Sequence, residues 1–251
     1  MDVKNKTVIV TGAGSGIGRA LAVEFGRNGA FTVCCGRRAA RLEETVGAIR
    51  NAGGDGCAVA ADITKREDVR RLVGTVMAKR KSTDILFNNA GSFRSIAGVH
   101  ETDPDIWWED VTVNLLGSYL MIREILPHMM TRNEGVIITM DGGRPDGGSG
   151  YACGKAGAME LTRVLAQELT MQKSNVMAIA AGPGLVRTEM TQLQAETEAG
   201  RKWIPSTREY FDAGKERRPE EIATATLRML AALKPSFHGK AYGPDTDFAT
   251  W

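Results

Sequence analysis

Short apolar runs rich in β-branched residues alternate along the chain with longer stretches of helical period, a pattern that predicts repeated βαβ units on a parallel sheet. The first run, Thr7 to Thr11, is continuous and suits a strand buried on both faces. Gly12 to Gly18 then turns the chain into a helix that places Ile17, Leu21 and Phe25 on one side. Phe31 to Cys35 is the second strand. Leu42, Val46 and Ile49 mark the next helix, closed by Gly53 and Gly54, and a third strand ends near Ala60. Thr64 followed by Glu67 predicts a capping box ahead of Val69, Leu72, Val73 and Val76, and Ile85 to Phe87 is the fourth strand.

Pro104 suits a first helical turn, from which Trp107, Val111, Leu115 and Ile122 form a long stripe running towards Pro127. Val136 to Thr139 reads as strand five, Tyr151 to Met171 as a helix and Val176 to Ala180 as strand six. After a helix over Pro219 to Leu233, Phe237 to Tyr242 reads as a last strand. The expected fold class is therefore α/β. Residues 1–251 form a single doubly wound Rossmann-type domain, its parallel sheet of about seven strands covered by helices on both faces. Residues 189 to 218 break the alternation. They are polar, carry Trp203, Pro205 and Tyr210 without a clear period, and predict a mobile excursion that covers a site.

Charge narrows the partners. Lys and Arg number 32 against 30 Asp and Glu, a formal +2, which excludes the global basic excess of a nucleic-acid or membrane-surface binder. The Arg70-Arg71 and Lys79-Arg80-Lys81 clusters read as solvated surface. No apolar run reaches the length of about 18 residues that a membrane span needs, and the opening Met1 to Thr11 carries no secretory pattern, so a cytoplasmic protein is expected. Cys34, Cys35, Cys57 and Cys153 lack a CxxC spacing and read as reduced thiols, while His100, His128 and His238 suggest no metal site. Trp107 and Trp108 read as core and interface residues.

Candidate chemistry starts at Thr11-Gly12-Ala13-Gly14-Ser15-Gly16-Ile17-Gly18. Between a strand and a helix, such a loop lets backbone amides and the helix N-terminus hold a pyrophosphate, which a Cβ would obstruct. Further motifs follow in order. Asp62 comes after strand three, Asn88-Asn89-Ala90-Gly91 after strand four, and Asn114 lies inside the long helix. Tyr151-x-x-x-Lys155 opens the next helix, and Pro183-Gly184-x-x-x-Thr188 follows strand six. With the G-x-x-x-G-x-G spacing of the first loop, this series resembles the short-chain dehydrogenase/reductases of the classical type over nearly the whole chain.

The resemblance implies a nicotinamide-dependent oxidoreductase that interconverts a carbonyl and a secondary alcohol on a small organic substrate. It implies cofactor contacts from Gly12, Ser15, Gly16, Ile17, Gly18, Asp62, Ile63, Asn88, Ala90, Gly91, Tyr151, Lys155, Pro183, Gly184, Val186 and Thr188. Asn114 would hold a water in a proton relay, and relatives assemble as homotetramers or homodimers. The substrate pocket would be lined by residues 92 to 98, 142 to 149 and 189 to 218. The pair itself has a physical rationale. Tyr151 and Lys155, four apart on one helix face, bring an ammonium near a phenol and favour its ionised form, lowering a pKa that starts at about 10. At the end of strand two, Cys35-Gly36-Arg37-Arg38 lacks the acid that would bond the ribose hydroxyls of NAD. Arg37, seconded by Arg38, suits a 2′-phosphate, so NADP(H) is expected ahead of NAD(H).

One departure stands out. The family's serine after strand five is missing from Thr139-Met140-Asp141-Gly142-Gly143, with Gly142 in its place. A lost donor to the reacting oxygen costs on the order of 10²-fold or more in rate. The Gly142-Gly143 amides, Ser149 or a protonated Asp141 are the candidate substitutes, with Asp141 alternatively facing a cationic substrate group or bonding its own loop. Two other readings follow from the departure: a cofactor-bound sensor with little turnover, or a reductase of an activated C=C bond.

Overall fold

The computed structural model describes residues 1–143 and 145–251. The apolar runs become strands β1 (Thr7–Thr11), β2 (Phe31–Gly36), β3 (Asp55–Ala60), β4 (Ile85–Asn88), β5 (Val136–Met140), β6 (Met177–Ala181) and β7 (Ala241–Tyr242). They form one seven-stranded sheet in the order β3-β2-β1-β4-β5-β6-β7, with every pairing parallel. Between them run α1 (Gly16–Arg27), α2 (Ala39–Asn51), α3 (Arg66–Arg80), α4 (Pro104–Val111), α5 (Gly117–Arg132), α6 (Ser149–Met171), α7 (Glu189–Glu196), α8 (Glu198–Trp203), α9 (Pro205–Asp212) and α10 (Pro219–Ala231).

Strand periodicity sorts the core into two layers. Val8 and Val10 of β1 pack with Phe25, Val46, Ile49 and Met229 on one face, while Ile9 between them joins Val73, Leu120, Ile125 and Leu169 on the other. All of these side chains are buried, each burial contributing roughly 1.5–3 kcal/mol. This is the doubly wound Rossmann-type architecture expected. The strand order reverses at β1 and β4, so their carboxyl ends open onto a crevice.

Several local expectations change. The Thr64–Glu67 capping box does not form: α3 starts later, at Arg66, and Thr64 instead donates its amide and hydroxyl to Asp62 Oδ1 at 3.0 and 2.7 Å. The last strand shrinks from Phe237–Tyr242 to Ala241–Tyr242, because Pro235–Phe237 coils into a 3-10 turn that buries Phe237. The Trp107 stripe does not stop at Pro127, since α5 carries that proline within it to Arg132. The excursion over 189–218 is built of three short helices, α7 to α9. Thr188 and Thr197 cap the first two, and Pro205 starts the third.

Candidate active site

The first glycine turn is shaped by backbone crowding. Gly12 has φ +68°, and a Cβ there would lie 2.9 Å from both the Ala90 Cα and the Asn89 Nδ2. At Gly18 a Cβ would run into the Gly12 carbonyl, which is how α1 comes so close to the turn. The loops are tied together by Thr11, whose hydroxyl accepts from the Asn89 and Ala90 amides at 3.0 Å each. Helix α1 begins without a side-chain cap and without an acid in its first turn, leaving its amino end suited to an anion.

This turn borders a cavity of about 630 Å³ at the carboxyl ends of the strands. Of the residues expected at a cofactor, Gly12, Ser15, Gly16, Ile17, Arg37, Arg38, Asp62, Ile63, Ala90, Gly91, Pro183, Gly184, Val186 and Thr188 line it, as do Tyr151 and Lys155. Asp141 and Gly142 line it too. Four expected residues do not. Gly18 and Asn88 act from behind, Gly18 by letting α1 approach and Asn88 from within β4, where it is buried. Asn114 is also buried, and Ser149 is drawn to α4, its hydroxyl accepting from Trp107 Nε1 at 3.0 Å. Arg144, within the 142–149 stretch expected to face substrate, lies outside the described residues.

At the inner end of the cavity, α6 presents Tyr151 and Lys155 from its first turns. The Lys155 ammonium is buried, donates to the Met140 carbonyl at 2.8 Å and lies 5.8 Å from the Tyr151 ring centroid. The Tyr151 hydroxyl sits directly over Gly142, where a Cβ would collide with it. The position of the missing serine is thus filled by the tyrosine itself. Across the ring, Phe93 stacks on Tyr151 with centroids 4.4 Å apart and planes 9° from parallel.

Asn114 sits on a π-helical turn, Thr112–Leu116, between α4 and α5, an irregularity of the kind often found at functional sites. Its Nδ2 donates to Ser92 O at 2.7 Å and Asp110 O at 2.8 Å, and its buried Oδ1 has no hydrogen-bond partner among the described residues. A Cβ on Gly91 would lie 2.9 Å from that Oδ1 and 3.7 Å from Lys155 Nζ, so both groups converge on this glycine.

One site residue, Asp110, escaped the sequence pattern, whereas Phe93 falls in the 92–98 stretch expected to line the substrate pocket. The fully buried Asp110 carboxylate accepts from the hydroxyls of Ser92 (2.6 Å) and Ser95 (2.7 Å) and from the amides of Arg94 and Ser95. It holds the strap that carries Phe93. The available signal was a carboxylate four residues before Asn114, inside an otherwise apolar stripe.

After β3, Asp62 is fixed by its neighbours. Its amide donates to Asp68 at 2.8 Å, and that hydrogen bond, reinforced by Arg71, holds the Asp68 carboxyl below its usual range. Beneath the glycine turn, burial pushes the Cys34 and Cys35 thiols up to about 12, so they are inert core groups there. Among the described residues there is no cluster of His, Cys, Asp and Glu fit for a metal, and no helix is long and apolar enough to cross a membrane.

A doubly wound sheet whose carboxyl-end crevice is lined by a glycine turn and a Tyr–Lys pair defines a class of dinucleotide-dependent oxidoreductases. The family model "short chain dehydrogenase" matches residues 6–199, and the chain belongs to that family of oxidoreductases. A short chain dehydrogenase of Pseudocercospora fijiensis is 36% identical over 193 residues, 75% of this chain but only 62% of that protein, so this chain spans less than two thirds of that relative. A 3-oxoacyl-[acyl-carrier-protein] reductase of Thermotoga maritima is 29% identical over 252 residues, covering 98% of each chain. Among solved structures, a variant of actinorhodin polyketide ketoreductase with NADPH matches with a TM-score of 0.83 at 26% identity, covering 95% of each chain.

Proposed function

We propose that this chain is an NADP(H)-dependent oxidoreductase that interconverts a carbonyl and a secondary alcohol on a small organic substrate. The observation that carries this reading is the meeting of Tyr151 and Lys155, with Asn114 behind them at Gly91, in the same cavity that the glycine turn and two arginines line. The residues fit a dinucleotide: the amino end of α1 is left for a pyrophosphate, and Gly12 and Gly16 leave room where a Cβ would intrude. Arg37, exposed at the cavity and without an ion pair among the described residues, suits a 2′-phosphate. When bound, the nicotinamide supplies a hydride to the carbonyl carbon or accepts one from the alcohol carbon.

The rest of the chemistry belongs to the chain. Tyr151 gives its phenolic proton to the substrate oxygen in reduction, or takes one from the alcohol in oxidation. Lys155 favours the ionised phenol by its charge. Asn114, its Oδ1 buried beside Gly91, completes a proton path behind the pair. With Gly142 in the serine's place, the second hydrogen bond to the reacting oxygen falls to the Gly142-Gly143 amides, with Asp141 as the neighbouring side chain at the cavity wall. Phe93, Leu185, Met190, Ile204 and Tyr210 give the substrate end an apolar cover.

The test is nicotinamide absorbance with purified protein, using NADPH and NADH separately against a panel of ketones and aldehydes. Calorimetric cofactor binding and the Tyr151→Phe and Asp141→Ala variants run beside it. Turnover favouring NADPH is expected, with Tyr151→Phe losing about 10²- to 10⁴-fold in kcat while still binding the cofactor. Tight binding without turnover throughout the panel would favour the sensor reading, and failure to bind either dinucleotide would overturn the proposal.

A further inference from the structure

We propose that Glu189 is a cofactor-specificity residue: from the first turn of the cover, its carboxylate competes with a 2′-phosphate for Arg38 and Arg41. The inference rests on the NADP(H) reading above. The end of β2 carries no acid of its own, yet the fold brings one there from about 150 residues further along the chain. Glu189 opens α7, immediately after Thr188, whose methyl closes over the glycine turn 3.1 Å from where a Gly16 Cβ would stand. Its carboxylate lies 3.6 Å from Arg38 Nη2 and 3.9 Å from Arg41 Nη2. The same Arg38 Nη2 donates to Ser15 Oγ at 3.5 Å, so the glycine turn, the β2 end and the cover meet at one guanidinium. Arg38, Ser15 and Glu189 all line the cavity.

The charges decide the direction. Arg38 and Glu189 are 59% and 58% exposed, and Arg41 is 46% exposed and shared with Glu44 at 3.4 Å. Exposed pairs of this kind are weak and exchange readily for a better partner. A phosphate carrying nearly two charges, able to take a guanidinium in a two-pronged hydrogen bond, is such a partner. A bound 2′-phosphate must still break this pairing and stand beside the Glu189 charge. A ribose bearing a free 2′-hydroxyl meets no such repulsion, and a carboxylate can accept its hydrogen bond, the role an acid at the end of β2 plays in NAD-selective sites. Arg37 therefore draws the site towards NADP(H), and Glu189 opposes it.

Calorimetry on the full chain tests this, with NADPH, NADH, 2′,5′-ADP and 5′-AMP as probes, the last two isolating the 2′-phosphate from the nicotinamide. Glu189→Gln is expected to tighten NADPH and 2′,5′-ADP by about three- to tenfold and to leave 5′-AMP within about twofold. Glu189→Asp, which keeps the charge, should stay close to wild type. In an Arg38→Gln/Arg41→Gln background the gain from Glu189→Gln should shrink, because its competitors are gone. An unchanged 2′,5′-ADP affinity in Glu189→Gln would overturn the proposal, as would an equal tightening of all four probes, which would mark Glu189 as part of the roof only. Wild-type protein that binds neither dinucleotide would remove the cofactor reading and this proposal with it. Wild-type binding with an unmoved ratio in Glu189→Gln would remove only the proposal.

Discussion

Two glycine-rich turns leave the carboxyl ends of strands in the same sheet, one after β1 and one after β5, and different neighbours crowd them. At Gly12 and Gly18 the obstacles to a side chain are mainly backbone, the Ala90 Cα and the Gly12 carbonyl, with the side-chain amide of Asn89 beside them. After β5 they are side chains from remote elements. Tyr151 fills the space over Gly142, Trp203 of α8 covers Gly147, and the Phe93 ring would lie 2.5 Å from a Cβ on Gly148. The first turn is a mould made mainly by the main chain, and in the function proposed above it takes a generic group, a phosphate. The second is a floor on which this chain's own side chains are arranged. Glycine in a turn therefore signals two different designs, and only its neighbours in space distinguish them.

The largest expected effect comes from filling the first mould. Gly18→Ala must push the Gly12 carbonyl or the Asn89 amide aside, since the added methyl would lie 2.5 Å from Asn89 Nδ2. Thermal unfolding should show a loss of about 1–3 kcal/mol. Nucleotide affinity by calorimetry should fall at least about tenfold as the turn shifts. Wild-type affinity in this variant would remove the distinction between the two turns.

Gly142→Ser probes the second turn and gives a smaller effect of a different kind. Restoring a hydroxyl donor would raise turnover if only the donor mattered, but its Cβ meets the Tyr151 hydroxyl. The displaced tyrosine should lower kcat by about tenfold, with NADPH affinity unchanged, as measured by steady-state kinetics beside calorimetry. A gain in kcat would instead mean that the floor yields and that the missing serine alone limits the rate.

The smallest effect marks where crowding ends. Among the described residues a Cβ on Gly143 meets only Pro145 Cδ, at 4.0 Å, and Gly143 is not in the left-handed region. Gly143→Ala should therefore stay within about 0.5 kcal/mol of wild type in a melting experiment. A large loss there would extend the tight floor one residue further than the geometry indicates.

The contrast between the turns also explains what could be read in advance. The β1 to α1 passage was legible because the glycine spacing encodes the close approach of Gly18 to the Gly12 carbonyl six residues earlier, although the crowding of Gly12 by Ala90 and Asn89 is long-range. The Tyr151–Lys155 pair was legible because one helix places both. Asp110 was not, because its importance lies in contacts between the strap after β4 and helix α4. The 92–98 stretch was expected at the pocket, but the stacking of Phe93 on Tyr151 of α6 depends on a contact between separate elements. The helices of the cover were hidden by short length and mixed period. Their form rests on caps at Thr188 and Thr197 and on Trp203 docking against Gly98 and Gly147. The Thr64 capping box failed because Asp62, two residues away, offered the hydroxyl a competing acceptor.

The sequence by itself determined the strand and helix alternation, the parallel sheet that follows from it, the phosphate-shaped turn and the helix face shared by Tyr151 and Lys155. Each of these depends on periodicity or on atoms a few residues apart. Only the tertiary structure decided that the Tyr151 hydroxyl occupies the place over Gly142, that Asp110 anchors the strap beneath Asn114, and that Glu189 stands at the arginines after β2. Those arrangements join segments separated by tens to more than a hundred residues, and their geometry is set by how whole helices pack on the sheet.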